Sequence, residues 1–120
     1  MSRPVAMVSL GDSLAHVVEE LAANVIGAVM VTTETRCVGI ITERDLIEHV
    51  GNGANLEHMT AEEVLTTDLV TATPSTTVAE AARLMLEAGI RHLPVAEDDD
   101  VIGLVSVRDV LAVLVRALNS

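Results

Sequence analysis

The stretch VGIITERD, Val38–Asp45, returns 64 residues later as IGLVSVRD, Ile102–Asp109, and the fold predicted below follows from this duplication. Each copy begins with an aliphatic run of the kind that forms a buried strand. Each copy then places a hydroxyl residue three positions before an aspartate, a pattern typical of a helix N-terminus. The sequence therefore predicts one strand-to-helix unit that occurs twice.

The duplication extends outward from this stretch without a gap, so that residues 11–50 register on residues 75–114. The identities at this offset are Ala15/Ala79, Ile26/Ile90, Val31/Val95, Gly39/Gly103, Arg44/Arg108 and Asp45/Asp109. Two copies are too few for a solenoid, so a pseudo-symmetric pair packed into one module is the better interpretation. We expect a first repeat over residues 5–55, a linker with a helical turn over 56–68, and a second repeat over 69–118.

Each repeat is expected to follow the order β-α-β-β-α, which places the protein in the α/β (α+β) class. Capping boxes at Thr77-x-x-Glu80 and Thr60-x-x-Glu63 predict helix starts, and Gly89 predicts a helix end. The expected strands are 6–9, 28–32, 38–41, 69–72, 92–96 and 101–105, and the expected longer helices are 13–23, 43–49, 78–88 and 107–117.

Composition argues against several classes of function. The chain has no Phe, Tyr or Trp on which the bases of a single-stranded nucleic acid could stack. Its formal net charge of −11 opposes a polyanion, and its seven arginines are scattered, so no nucleic-acid partner is expected. No run approaches the ~20 apolar residues of a membrane helix, and the single Cys37 fits a reducing compartment. We therefore expect a cytoplasmic protein without a membrane partner, a metal or a cofactor.

The two quoted stretches resemble the repeat signature of CBS domains, and so do TATPSTTVAEAARLMLEAGIRHLPV (Thr71–Val95) and NVIGAVMV (Asn24–Val31). The resemblance covers residues 5–114 and occurs twice in tandem. It implies a disc-like module in which two clefts, related by a pseudo-twofold axis, hold AMP, ADP, ATP or S-adenosylmethionine. The segment before the first strand is shorter than in the family, which leaves part of the first site's wall missing or supplied by a partner subunit.

The resemblance also assigns a ligand site to a Gly-x-x-[Ser/Thr]-x-x-Asp pattern, whose residues here are Gly39, Thr42, Arg44, Asp45, Gly103, Ser106, Arg108 and Asp109. The chemistry agrees, because a carboxylate on the first turn of a helix offers two oxygens to a ribose diol. Helix N-terminal N–H groups, a hydroxyl and an arginine together suit a phosphate. Helix capping alone would explain the hydroxyls and the carboxylates, but not an arginine at the same place in both copies.

Three further residues of the second repeat are candidates. Arg91 and His92 resemble the family's cleft lining and would reach a phosphate, although a plain role at a strand edge explains them equally well. The first repeat has Gly27 and Ala28 at these places, so the two sites cannot be chemically equal. Thr71, and by analogy Met7, resembles a residue that flanks the adenine, and a position at a strand edge explains it as well.

These patterns predict a non-catalytic regulatory module that binds an adenine-containing ligand (AMP, ATP or S-adenosylmethionine) and acts on a partner protein that the sequence does not identify. A homodimer is expected because Leu111, Leu114, Val115 and Leu118 form an apolar stripe on the last helix. The alternative is a structural dimerisation or protein-interaction module with empty clefts. An enzyme is not supported, because the sequence shows no Ser-His-Asp spacing, metal-ligand spacing or phosphate-binding loop.

Overall fold

The structure is a computed structural model that describes residues 6–24, 27–34 and 36–119. The chain divides after Leu69 into two compact units, and each unit contains one copy of the repeat. The first unit contains β1 (Met7–Ser9), α1 (Leu14–Asn24), β2 (Ala28–Thr33), β3 (Arg36–Thr42), α2 (Glu43–Gly51) and α3 (Ala61–Val64). The second contains α4 (Val78–Ala88), β4 (His92–Glu97), β5 (Asp100–Ser106) and α5 (Val107–Leu118). The predicted α+β class with two repeats is confirmed.

The two repeats also agree in strand register. Strands β2 and β3 pair antiparallel with Val31 opposite Gly39, and β4 and β5 pair antiparallel with Val95 opposite Gly103. A β-bulge follows Val31 in the first hairpin and Val95 in the second. These positions differ by the offset found in the sequence, so the sequence duplication is a duplication of backbone structure.

The first strand of each repeat is where the two copies differ most. β1 pairs parallel with β2, and the Met30 and Leu10 N–H groups donate to the carbonyls of Ala6 and Thr32 at 3.0 and 3.2 Å. In the second repeat the positions equivalent to Met30 and Leu10 are Pro94 and Pro74.

Proline has no N–H to donate, so neither of these ladder bonds can form in the second repeat. The strand predicted over residues 69–72 is therefore wrong, and the pairing shrinks to a single parallel bridge at Ala72. The Ala72 N–H donates to Pro94 O, and the Ala96 N–H donates to Ala72 O, both at 2.8 Å.

Each unit packs its own aliphatic core. In the first unit α1 lies against the sheet, and Leu14, Val17, Val29, Val31 and Ile41 are fully buried. In the second unit α4 and α5 pack against the hairpin around Leu93, which is fully buried, with Met85, Ala81 and Val110 beside it. Burial of these side chains supplies the main stabilisation of each unit.

Residues 56–66 fold against the first unit. The Leu14 N–H donates to Met59 O and the Ala61 N–H donates to Asp12 O, both at 2.9 Å. Ala61 and Val64 of α3 join the first core. At the start of this helix the Thr60 N–H donates to Glu63 Oε1 at 3.3 Å, in the predicted capping box. Thr66 then pairs antiparallel with Ile40 of β3. This segment thus completes the first unit.

Candidate functional site

The N-termini of α2 and α5 hold the two aspartates of the repeated pattern in the same way. Ser106 is the N-cap of α5: its Oγ accepts the Asp109 N–H at 3.1 Å, and Asp109 Oδ2 accepts the Ser106 N–H at 2.8 Å. Thr42 and Asp45 exchange the corresponding bonds at 3.2 and 2.9 Å. These reciprocal capping boxes fix each carboxylate on the first turn of its helix.

The start of α5 lies beside the first residues of β4. His92 pairs with Ser106 in the hairpin, and the Val107 N–H donates to Arg91 O at 2.9 Å. The structure thereby brings the predicted residues Arg91, His92, Ser106 and Arg108 to one end of the hairpin. Both arginines are exposed and His92 is half-buried.

The first repeat has the same arrangement, with Gly27 and Ala28 in place of Arg91 and His92. The Glu43 N–H donates to Gly27 O at 2.9 Å, and Ala28 pairs with Thr42. Arg44, which is the equivalent of Arg108, is exposed, and its Nε lies 3.3 Å from Glu48 Oε1 on the same helix. The predicted inequality of the two sites therefore has a structural counterpart in charge.

A cavity of about 300 Å³ lies within the second unit, at the lower end of the size range of small-molecule sites. Its apolar lining includes Leu93, Val105 and Val110. Its polar lining consists of Thr73, Thr76, Thr77 and Asp109. Among the described residues that line this cavity, Asp109 is the only one with a charged side chain.

The hydroxyl groups on the cavity wall were not predicted as site residues. The Thr73 N–H donates to Thr76 Oγ1 at 2.9 Å, the Thr76 N–H donates to Thr73 O at 3.0 Å, and the two hydroxyls lie 3.3 Å apart. Four hydroxyl residues, Thr73 and Ser75–Thr77, stand directly before α4 in the sequence, and this density was the available signal. From these residues the sequence predicts only the helix cap at Thr77.

The same turn occurs in the first repeat with a carboxylate in place of a hydroxyl. The Ser9 N–H donates to Asp12 Oδ2 at 2.8 Å, and the Asp12 N–H donates to Ser9 O at 3.0 Å. Ser9 and Asp12 are the equivalents of Thr73 and Thr76. The first repeat thus carries a negative charge where the second carries a neutral side chain.

The remaining predicted residues lie on the strands and at their ends. Gly39 and Gly103 are buried in β3 and β5. A Cβ atom at Gly39 would lie 2.6 Å from the Thr66 carbonyl oxygen, so this glycine accommodates the close approach of residues 65 and 66. Thr71 is exposed before the Ala72 bridge, and Met7 is exposed at the start of β1.

Near the cavity, Glu80 completes the capping box of α4. The Thr77 N–H donates to Glu80 Oε1 at 2.9 Å, and this bond, together with the Thr77 hydroxyl and the nearby Arg83, holds the pKa of the Glu80 carboxyl below its ordinary value. Within the described ranges, no cluster of His, Cys, Asp and Glu side chains is arranged to hold a metal ion. In the same part of the chain, no helix is long and apolar enough to span a bilayer.

Comparison with known proteins identifies both repeats. A family model described as CBS domain matches residues 1–52 and 61–116. An uncharacterised protein of Methanopyrus kandleri is 33% identical over 105 residues, which are 85% of this chain and 54% of that protein. The chain spans about half or less of the length of the first curated relatives it matches.

Two solved structures with bound ligands have the same fold. A CBS domain protein of Pyrobaculum aerophilum, complexed with AMP, is 25% identical with a TM-score of 0.84, over 100% of this chain and 95% of that one. A CBS domain pair in complex with 5′-methylthioadenosine and S-adenosyl-L-methionine is 25% identical with a TM-score of 0.83, over 94% of this chain and 93% of that one.

Proposed function

The chain belongs to the CBS domain family and carries two CBS repeats in tandem, and we propose that it senses an adenine-containing small molecule. CBS pairs are regulatory modules. The observation that carries the proposal is the cavity of the second unit, which Asp109 lines from the first turn of α5.

The proposed ligand class is AMP, ATP or S-adenosylmethionine. Related CBS structures hold AMP or S-adenosyl-L-methionine, which share the adenosine group. In this chain the aliphatic lining suits an adenine ring, and a carboxylate has about four acceptor sites for the two ribose hydroxyls. We assign Asp109 to the ribose and Ser106, Arg108, Arg91 and His92 to the rest of the ligand, with Gly103 and Thr71 flanking it. Gly39, Thr42, Arg44 and Asp45 form the corresponding group in the first repeat.

Calorimetry against AMP, ATP, S-adenosylmethionine and cytidine monophosphate tests the proposal. We expect at least one adenine compound to bind and the cytidine control to bind more weakly. The ligand should be recovered unchanged by chromatography after prolonged incubation, because we propose a non-catalytic role. If no adenine compound binds, the proposed ligand class is wrong.

A second candidate function is a dimerisation module, and the surface of α5 favours it. Leu111, Leu114, Val115 and Leu118 are all exposed, Leu118 by 85% and Leu111 by 54%. Exposed apolar surface of this kind is typical of a protein interface. We propose that a second copy of the chain covers this face, so that ligand sensing takes place in a homodimer.

Light scattering of a Leu114→Glu, Leu118→Glu double variant tests the homodimer. The double variant should be monomeric, whereas Arg116→Glu, which changes the net charge by the same two units, should leave the dimer intact. A wild-type protein that is monomeric at high concentration would remove this candidate.

We further propose a cytoplasmic location and an unidentified protein partner that reads the ligand state. The single buried Cys37 supports a reducing compartment. Cell fractionation followed by cross-linking with and without the identified ligand tests both points, since the partner should be captured in only one ligand state.

A further inference from the structure

We propose that small side chains at positions 72 and 81 open the ligand cavity of the second repeat, and that larger side chains at the equivalent positions close the corresponding space in the first repeat. The second repeat is then the tighter of the two sites. The inference rests on the proposed function and assigns its adenine ligand to one repeat. It is carried by a difference in side-chain size between the two copies and by the burial of the larger set.

Most of the aliphatic residues that line the cavity are smaller than their counterparts 64 positions earlier. The pairs that lose two carbons are Ala72/Val8 and Ala81/Val17, and the pairs that lose one carbon are Val78/Leu14, Val105/Ile41 and Val110/Leu46. The pairs that gain one carbon are Leu93/Val29 and Ile102/Val38. The gains offset only part of the losses, so the second repeat has less side-chain volume around this space.

The larger side chains of the first repeat are closely packed. Leu14, Val17 and Ile41 are fully buried, and Val8 and Leu46 are at most 6% exposed. All five belong to one buried cluster, which also includes residues of α3. Protein interiors are packed as densely as organic crystals, so an adenine ring could enter this cluster only by displacing side chains. The first repeat therefore fills the space that the second leaves open.

The second repeat corresponds to the first with methyl groups removed from its core. Such truncation leaves a cavity, because the surrounding structure relaxes only partly into the vacated space. Ala72 lies at the bridge to Val95, and Ala81 lies on the first turns of α4. Both line the cavity of about 300 Å³ together with Asp109. The missing methyl groups therefore leave room in the same cavity as the carboxylate that we assign to the ribose.

The segment after the first repeat covers the equivalent turn there. The Ala61 N–H donates to Asp12 O at 2.9 Å, and Ala61 and Val64 are buried in the first core. Asp12 is the equivalent of Thr76, which lines the cavity of the second repeat. A ligand in the first repeat would thus meet both larger side chains and the packed segment at α3.

Calorimetric titration of the intact protein with AMP, and separately with S-adenosylmethionine, tests the inference. We expect one tight site per chain for at least one of the two compounds. Ala81→Val and Ala72→Val each install the residue of the first repeat, so each should weaken that compound by at least about tenfold through overpacking of the occupied site. Each variant without ligand should melt close to the wild-type temperature, because the added methyl groups enter space that is already present.

Two matched variants serve as controls. Ala79→Val makes the same exchange two residues before Ala81 on α4, at an exposed position outside the cavity lining of the described residues, and should leave the affinity unchanged. Val17→Ala makes the reverse exchange in the first repeat. It should lower the melting temperature by creating a cavity, and it should leave the tight site unchanged. Val78→Leu, which adds one carbon to the cavity wall, replaces either valine variant that fails to fold.

The outcomes separate this inference from the proposed function. Two sites of equal affinity per chain would overturn the inference and leave the adenine-sensing function intact. Wild-type affinity in folded Ala81→Val and Ala72→Val would likewise overturn the role of side-chain size. If AMP, ATP and S-adenosylmethionine all fail to bind the wild-type protein, the proposed function fails and the inference fails with it.

Discussion

The two repeats have the same strand register in their hairpins and differ in how the first segment of each repeat pairs with the hairpin. In the first, β1 forms a parallel strand whose ladder uses the N–H groups of Leu10 and Met30. In the second, Pro74 and Pro94 stand at those places, and pairing is limited to Ala72. Ala72 and Pro74 also line the cavity. Two prolines thus prevent a strand from forming in one copy of a duplicated fold, beside its candidate ligand site.

The largest expected effect is on stability and compares two fully buried leucines. Leu14→Ala in the first core and Leu93→Ala in the second should each destabilise the protein by about 2–5 kcal/mol. Leu93 already borders a cavity, so its side chain has fewer contacts to lose. We therefore expect Leu93→Ala to lower the free energy of unfolding by less than Leu14→Ala. Urea denaturation followed by circular dichroism measures both. Equal losses would mean that the second core is packed as tightly as the first.

The next largest effect is expected on melting temperature and ligand affinity when each of the two capping aspartates is replaced. Asp45→Ala and Asp109→Ala should lower the melting temperature of the free protein slightly and similarly, because each removes a favourable helix-dipole interaction of about 0.3–1 kcal/mol. Asp109→Ala should in addition weaken adenosine binding by about 1.5–3 kcal/mol, roughly ten- to more than a hundredfold. Thermal shift and calorimetry separate the two effects.

Asp45→Ala tests the first repeat in the same way, and the double variant should abolish binding. If both single variants melt lower but keep wild-type affinity, the two carboxylates serve only as helix caps. The assignment of Asp109 to the ribose would then be wrong.

A third effect concerns Gly39, the buried glycine of the first hairpin. Gly39→Ala should cost about 1–3 kcal/mol, because the new methyl group would push against the Thr66 carbonyl of the backbone. Gly11→Ala is the matched control, since an added Cβ at exposed Gly11 meets nothing within 4 Å and should change stability by no more than about 0.5 kcal/mol. Chemical denaturation measures both variants, and equal stabilities would show that residues 65 and 66 adjust freely.

The smallest effect concerns the helix that follows each turn. Glu80 completes the capping box of α4, whereas His16 stands at the equivalent place in α1. Because the pKa of Glu80 is lowered in the folded state, its contribution to stability is present above its ordinary pKa and is lost as the pH falls through the folded value. Glu80→Gln keeps an acceptor but does not titrate. As the pH is lowered from neutral to acidic, the melting temperature of the wild type should therefore fall slightly more steeply than that of the variant.

The sequence was sufficient to predict the structural features that depend on residues close together in the chain. The capping residues Thr42, Thr77 and Ser106 and the C-cap Gly89, with its left-handed φ of 67°, are all where their patterns predicted. The CBS resemblance is likewise confirmed. The predicted ends of the paired strands and main helices lie within one or two residues of those observed, as expected where terminal turns compete with loops.

The sequence was insufficient to predict features that depend on contacts between segments far apart in the chain. The strand predicted over 69–72 has suitable residues, but its ladder depends on Pro94, more than twenty positions away. The cavity is another such case, because it joins Thr73 and Thr76 before α4 with Asp109 on α5. The periodicity of apolar residues carries no information about which distant residues come together. The threonines that line the cavity therefore could not be predicted as site residues from the sequence.

The pairing of Thr66 with Ile40 bears on how fragments of this chain would behave in solution. The Ile40 N–H donates to Thr66 O at 3.1 Å and the Thr66 N–H donates to Ile40 O at 2.9 Å, on the side of β3 away from β2. A fragment cut at the end of the first repeat, near residue 55, would leave these groups open to strands of other molecules, and such exposed edges promote aggregation. A fragment that continues to Leu69 retains Thr66, which pairs with Ile40 at this edge of β3. Expression of the first repeat as a soluble piece therefore depends on a segment outside the repeated sequence.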